Sequence, residues 1–250
     1  MSSVLGIDIG GSGIKAGLVD VESGKMISQR IREDTPPDGD PKEISKIIHK
    51  MYEAFSWEGA VGVGFPAVIL DGVAFSAANI SEEWIGLNVN DLLGKGTQCK
   101  VYTVNDADAA GVAEMDFGAG KDRKHGVVMM LTLGTGIGSA IFIDGILVPN
   151  TELGHLQIKG KDAEKWTSAA VKETQKLSWK KWSHRLQIYF DYLEHLFSPN
   201  LFIVGGGVSK DAEKFLPRLK TRAEIVPAEF QNQAGIIGSA LYAASKEKLN

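Results

Sequence analysis

Residues 5–15 read Leu-Gly-Ile-Asp-Ile-Gly-Gly-Ser-Gly-Ile-Lys. An apolar run with Asp8 at its centre breaks into a glycine-rich turn, and a second apolar run, 14–19, follows at once. Gly-Ser-Gly supplies the positive φ values that tight turns need, so the stretch predicts a β-hairpin. Without a Cβ, these glycines also let backbone N–H groups close on a bulky anion. Leu131-Thr-Leu-Gly-Thr-Gly-Ile-Gly138 echoes the pattern between apolar runs at 126–133 and 137–143. Such a repeat predicts two halves of similar plan.

The rest of the chain fits that division. Strand-like runs occupy 4–9, 14–19 and 26–31, and 30–40 is polar and contains prolines, hence a loop. Ile44, Ile47, Ile48, Met51 and Phe55 recur at helical spacing and predict one amphipathic helix over 41–55. A strand at 60–65, a hairpin about Asp71-Gly72, an irregular 77–84 and a short helix at 90–93 lead to a strand over 101–104. That strand ends at Asn105-Asp106, before an Ala-rich helix at 107–115. Residues 117–125 form a glycine-rich, charged connector. Beyond the second hairpin come helices at 163–174 and 180–197, a strand at 201–204 with three glycines after it, a helix at 211–220, a strand at 224–226 and a final helix from 234. The expectation is a two-lobed α/β protein with a cleft between the lobes. Its small N-terminal lobe is 1–116, with the helix at 234–250 packing back on it, and its large C-terminal lobe is 117–233.

Bulk properties narrow the function. The 250 residues carry a net charge of −4, which argues against nucleic-acid binding. The single Cys99 excludes an internal disulfide and any Cys-cluster metal site, and fits a reducing, cytoplasmic compartment. No apolar run approaches the roughly 18 residues of a membrane helix. A strand begins within a few residues of Met1, so neither a signal peptide nor a helix-turn-helix is expected there. The 29 glycines cluster near 10–13, 118–120, 134–138 and 205–207, which marks close backbone approaches, often to phosphate.

Three groups of residues have the chemistry for a reaction. Asp106, at a strand end, could accept a proton from a hydroxyl, or it could cap the following helix together with Asn105. Glu152 and His155, three apart around Gly154, offer both acceptor and donor to a polyol, or form an ordinary surface pair. Lys172, Lys176, Lys180, Lys181, His184 and Arg185 interleave with Trp179 and Trp182. This basic strip could attract a polyanion, or be a solvated helix face with its tryptophans in the core.

Together these motifs resemble a known family. Asp8-Ile-Gly-Gly-Ser-Gly-Ile-Lys15 and Leu133-Gly-Thr-Gly-Ile-Gly138 look like the two phosphate motifs of the actin-like sugar kinases, whose fold is also called ribonuclease H-like. Asn105-Asp106-Ala-Asp-Ala resembles the catalytic motif of the ROK family, and Glu152-Leu-Gly-His155 its sugar-binding signature. The resemblance implies Asp106 as catalytic base, with Asn79, Asn105, Asp106, Glu152, His155 and Glu164 on the sugar. It implies Gly10, Gly11, Ser12, Gly13, Lys15, Gly134, Thr135 and Gly136 on the donor phosphates. Asp8 would serve Mg²⁺ through water. Trp84 would pack under the sugar or fill the core. ROK proteins commonly carry a Cys-rich zinc motif after Glu-x-Gly-His, but 156–165 holds no Cys, so no zinc is expected. The zinc-less form is similar to the polyphosphate glucokinase branch, which implies glucose as acceptor, polyphosphate or ATP as donor, and a homodimer. Lys176, Lys180, Lys181 and Arg185 would then line the polyphosphate path. An ATP-dependent hexokinase of the same family and a non-catalytic sugar sensor are the alternatives.

Overall fold

The computed structural model describes residues 3–78 and 80–249. It divides into two compact units, Met1–Ala113 with Gln233–Asn250, and Glu114–Asn232. The border falls inside a helix three residues earlier than the connector suggests. With the C-terminal segment included, the first unit is the longer one, so the expected small and large lobes are reversed in size.

The first unit contains β1 (Ser3–Gly10), β2 (Gly13–Asp20), β3 (Lys25–Met26), β4 (Ile31–Glu33), α1 (Pro41–Phe55), β5 (Ala60–Phe65), β6 (Ile69–Leu70), β7 (Val73–Ala74), α2 (Val89–Gly94), β8 (Lys100–Asn105) and the start of α3 (Asp106–Phe117). Its sheet runs β3-β2-β1-β5-β8, and β4 also pairs with β2. β1 and β2 are antiparallel; β5 and β8 follow β1 in parallel. The expected strand at 26–31 is two short strands, with β4 in the segment expected to be loop. Between them Ser28 turns its hydroxyl onto the Leu18 N–H, which interrupts the ladder.

The second unit contains β9 (Val127–Leu133), β10 (Ile137–Ile143), β11 (Ile146–Val148), β12 (Gln157–Ile158), β13 (Lys161–Asp162), α4 (Glu164–Thr167), α5 (Ala169–Thr174), α6 (Trp179–Phe197), β14 (Leu201–Gly205), α7 (Ala212–Phe215) and β15 (Glu224–Pro227). The chain then returns to the first unit as α8 (Ala234–Leu249). The second sheet runs β11-β10-β9-β14-β15, again an antiparallel hairpin followed by parallel strands. Two expected helices are broken. Ser168 ends α4 and caps α5, accepting from the Val171 N–H. Around Pro217, which has no N–H to donate, the third is one turn of α-helix between 3₁₀ turns.

The first sheet uses its two faces differently. Alternation puts Ile7, Ile9, Ile14, Ala16, Val61 and Val63 on one face, where they join Ile44, Ile48, Met51 and Tyr52 of α1 in the core. Asp40 fixes where α1 begins, accepting from the Lys42 and Glu43 N–H groups at 2.9 Å. The opposite face carries Gly17, Gly6 and Gly62 in register across three adjacent strands. α8 lies directly on this glycine row. A Cβ on Gly6 would come 2.0 Å from the Ile236 carbonyl oxygen, and one on Gly62 1.8 Å from that of Ser239. In the second unit α6 buries Trp182, Leu186, Tyr189, Phe190 and Leu193 against Met129, Leu131, Phe202 and Val204. Among the described residues no helix is long and apolar enough to cross a membrane.

Candidate active site

The β1–β2 turn closes with Gly10 opposite Gly13. None of Gly10, Gly11 and Gly13 lies in the left-handed region, so the turn does not need glycine for its φ angles, contrary to expectation. The space beside Gly13 is taken by the end of the Arg32 side chain, whose Nε and Nη2 would lie 2.9 Å from an added Cβ. Arg32 Nη2 donates to the Ser12 carbonyl at 2.9 Å, and Thr35 Oγ1 donates to the Gly10 carbonyl at 2.5 Å. Sequence reasoning missed both residues, because they reach the turn only through the β2–β4 pairing. Asp8 and Lys15 face each other across the hairpin and join in a 2.9 Å salt bridge, with side chains 17% and 24% exposed. Asp8 also presses on the start of α8, where a Cβ on Gly235 would come 2.6 Å from its Cγ.

At the end of β8, Asn105 is the helix cap. Its Oδ1 accepts from the Ala107 and Asp108 N–H groups at 2.9 and 3.2 Å, and its Nδ2 donates to the Ala67 carbonyl at 3.1 Å. With Asn105 holding the helix start, Asp106 is the first helical residue and is only half-buried. Asp108 is fully buried, so Asp106 is the carboxylate of the pair with access to solvent. Gly64 lies opposite Asp8 in register, and a Cβ there would come 3.8 Å from the Asp106 Cα. Gly64 therefore adjoins both Asp8 and Asp106. Trp84 is core: it is fully buried, donates to the Gly39 carbonyl at 2.8 Å and packs edge-on to Phe65. Asn79 lies outside the described residues.

The second unit repeats the arrangement with different chemistry. Gly134 N–H donates to the Gly136 carbonyl, and the Gly134 carbonyl accepts from Ala170 at the start of α5. Glu164 Oε2 accepts from the Ile137 N–H at 3.3 Å and fills the space beside Gly136, only 2.4 Å from where a Cβ would stand. The same oxygen would be 3.4 Å from a Cβ on Gly154. Glu164 thus joins the glycine turn to the Glu152–His155 motif, a link that sequence reading does not supply. His155 Nε2 is 3.9 Å from Glu152 and its Nδ1 3.6 Å from Asp162, which also holds Lys165 at 2.8 Å. Burial pushes the Glu152 carboxyl above the usual carboxylate range; His155 opposes this and Glu164 reinforces it. Tyr189, buried beneath, donates to the Leu153 carbonyl at 3.3 Å. His155, Asp162 and Glu164 bring ligand-capable atoms within 4.8 Å of one another, with nitrogen and oxygen donors only.

The basic strip divides in two. Lys172 lies 3.9 Å over the Trp179 ring, and Arg185 donates to the Trp166 carbonyl at 3.0 Å. Trp182 is fully buried and Trp179 stacks on Phe215. Lys176, Lys180, Lys181 and His184 stand exposed.

The chain is similar to known proteins over most of its length. The family model described as ROK family matches residues 4–176. Polyphosphate glucokinase of Mycobacterium tuberculosis (strain CDC 1551 / Oshkosh) is 45% identical over 238 residues, covering 94% of this chain and 89% of that protein. The crystal structure of inorganic polyphosphate/ATP-glucomannokinase from Arthrobacter sp. strain KM superposes with a TM-score of 0.93 at 46% identity, covering 98% of this chain and all of that one. The fold alone extends to a ROK family glucokinase from Streptomyces griseus, solved with glucose and AMPPNP, at a TM-score of 0.82, 24% identity, and 97% and 99% coverage. Its fold is the two-lobed actin-like one of these sugar kinases, and the chain belongs to the ROK family.

Proposed function

We propose that this protein phosphorylates glucose at the 6-hydroxyl with inorganic polyphosphate as donor, and ATP as an alternative, giving glucose 6-phosphate. The observation that carries the reading is the 45% identity to a polyphosphate glucokinase over nearly the whole chain. Local geometry supports it: the sheet of each unit contains a glycine-turn hairpin, and Asn105 caps α3 so that Asp106 heads the helix.

In this reading Asp106 takes the proton from glucose O6 as that oxygen bonds to the terminal phosphorus. The anhydride P–O bond breaks, and the donor leaves one phosphate shorter. Asn79, Asn105, Glu152, His155 and Glu164 hold the sugar hydroxyls, and the raised pKa of Glu152 leaves it a strong acceptor once ionised. Amides of 10–13 and 134–136, with Lys15, face the donor phosphates. Asp8 offers hard carboxylate oxygens of the kind Mg²⁺ prefers, with Lys15 on Oδ2, so it fits a magnesium held through water. That ion, bound with the donor, offsets phosphate charge. The exposed Lys176, Lys180 and Lys181, with Arg185, draw in the polyanion by long-range attraction. A cytoplasmic homodimer completes the reading.

The test gives purified protein glucose and Mg²⁺ with polyphosphate or ATP in parallel, and measures glucose 6-phosphate. Product from ATP alone would overturn the donor assignment; product from neither would overturn the kinase reading.

A further inference from the structure

Arg32 is a second-strand-out residue that ends up on the first glycine turn. β4 pairs with β2 so that Arg32 stands opposite Lys15, which itself stands opposite Asp8. Directly opposed residues share a face, so Asp8, Lys15 and Arg32 form one row across three strands. Within the row the charge of Lys15 is already matched by Asp8 at 2.9 Å. Arg32 is the outer cation of the row, with its guanidinium over Gly13.

Its bonds leave capacity to spare. A guanidinium has five N–H donors. One goes to the Ser12 carbonyl at 2.9 Å and one to Asp34 at 2.7 Å. The bond to Ser12 draws off negative charge that this carbonyl would otherwise present to an anion, and Thr35 does the same for Gly10. The Asp34 partner is 84% exposed and Arg32 46%, so that pair is weak and easily exchanged. A phosphate group competes for a guanidinium with more charge and a matching bidentate geometry.

We propose that Arg32 is a donor-binding residue. Its guanidinium stays anchored on the Ser12 carbonyl and exchanges Asp34 for a phosphate of the phosphoanhydride chain. The proposal rests on the donor reading above. It applies to polyphosphate and ATP alike, since both present the same anhydride.

Steady-state kinetics on Arg32→Ala, Arg32→Lys and Asp34→Asn test it, with donor and glucose varied separately. Arg32→Ala should raise the donor KM by about ten- to a hundredfold, as for other lost charged hydrogen bonds, and leave the glucose KM within about twofold. Arg32→Lys should recover part of the loss. Asp34→Asn should lower the donor KM, because it removes the competing carboxylate; a purely structural Arg32–Asp34 pair would give no gain. A donor KM within about twofold of the parent in Arg32→Ala, or one that is not lowered in Asp34→Asn, overturns the proposal. Where Arg32→Ala fails to fold, the sign of the Asp34→Asn effect decides alone. An inactive parent enzyme instead overturns the kinase reading, so the two failures are distinguishable.

Discussion

Glu164 offers the sharpest test, because the family resemblance implies a sugar role for it while its bond lies beside the glycine turn proposed to hold the donor. Oε2 accepts from the Ile137 N–H, the first amide after Gly136, at 3.3 Å. A hydrogen bond to a charged group contributes about 1.5–3 kcal/mol, and this one is longer than the usual 2.9–3.0 Å, so about 1.5 kcal/mol is the fair figure. That is roughly a tenfold effect. Glu164→Ala removes the bond and leaves Gly136 without a neighbour to hold it, so the donor KM should rise about tenfold, alongside any rise in the glucose KM. Glu164→Gln keeps an acceptor oxygen for the amide and should restore the donor KM to within about threefold while leaving the glucose defect. The assay is initial-rate kinetics with each substrate varied at saturation of the other, on variants with the parent's melting temperature. If Glu164→Ala raises only the glucose KM, the carboxylate serves the sugar alone and the reasoning from the Ile137 bond is wrong.

Asp106→Ala should abolish phosphorylation while glucose still binds by calorimetry; near-normal turnover would remove it as the base. Glu152 accepts from sugar hydroxyls more strongly when ionised, and burial raises its pKa. The acid limb of kcat/KM for glucose should therefore lie above the usual Glu range. It should move to lower pH in Glu164→Gln, which removes a like charge, and to higher pH in His155→Ala, which removes an opposite one. Replacing Lys176, Lys180 and Lys181 together by Ala should raise the KM for long polyphosphate and flatten its salt dependence, with ATP kinetics unchanged. Gly62→Ala puts a methyl 1.8 Å from the Ser239 carbonyl oxygen. Backbone cannot yield as a side chain can, so a loss of about 3 kcal/mol is expected, at the upper end for overpacking. In a chain of this size that is a fall of roughly 6–12 °C in Tm, read by calorimetry.

The elements that sequence reveals best are those with local causes. Asp40-Pro41 and five apolar residues at helical spacing specify α1 to the residue. The paired glycine turns announce the two sheets, because each hairpin is closed by neighbours in the chain. What stays hidden depends on pairing across distance. Glycines at 6, 17 and 62 look like weak points in strands until register aligns them under α8. Ser168 looks helical, yet its hydroxyl serves the Val171 N–H and splits the helix. The candidate site follows the same rule. Asn105-Asp106 and Glu152–His155 are visible as motifs. Arg32, Thr35 and the Ile137 bond of Glu164 are not, since no local pattern says which strand will lie beside the turn.

One physical problem links these hidden contacts. A donor made of phosphates must be held near carboxylates, which repel it. In the first unit Gly235 gives Asp8 room, and Lys15 pairs with it at 2.9 Å. In the second, Gly136 and Gly154 make room for Glu164, whose charge is drawn onto the Ile137 N–H. In both units the glycines are set as much by the acid that presses on them as by the anion they admit. Asp8 is matched by Lys15, so in the proposed reading the first turn attracts the donor through its amides, a magnesium ion and a further cation outside that pair. Arg32, next in the same row, is that cation.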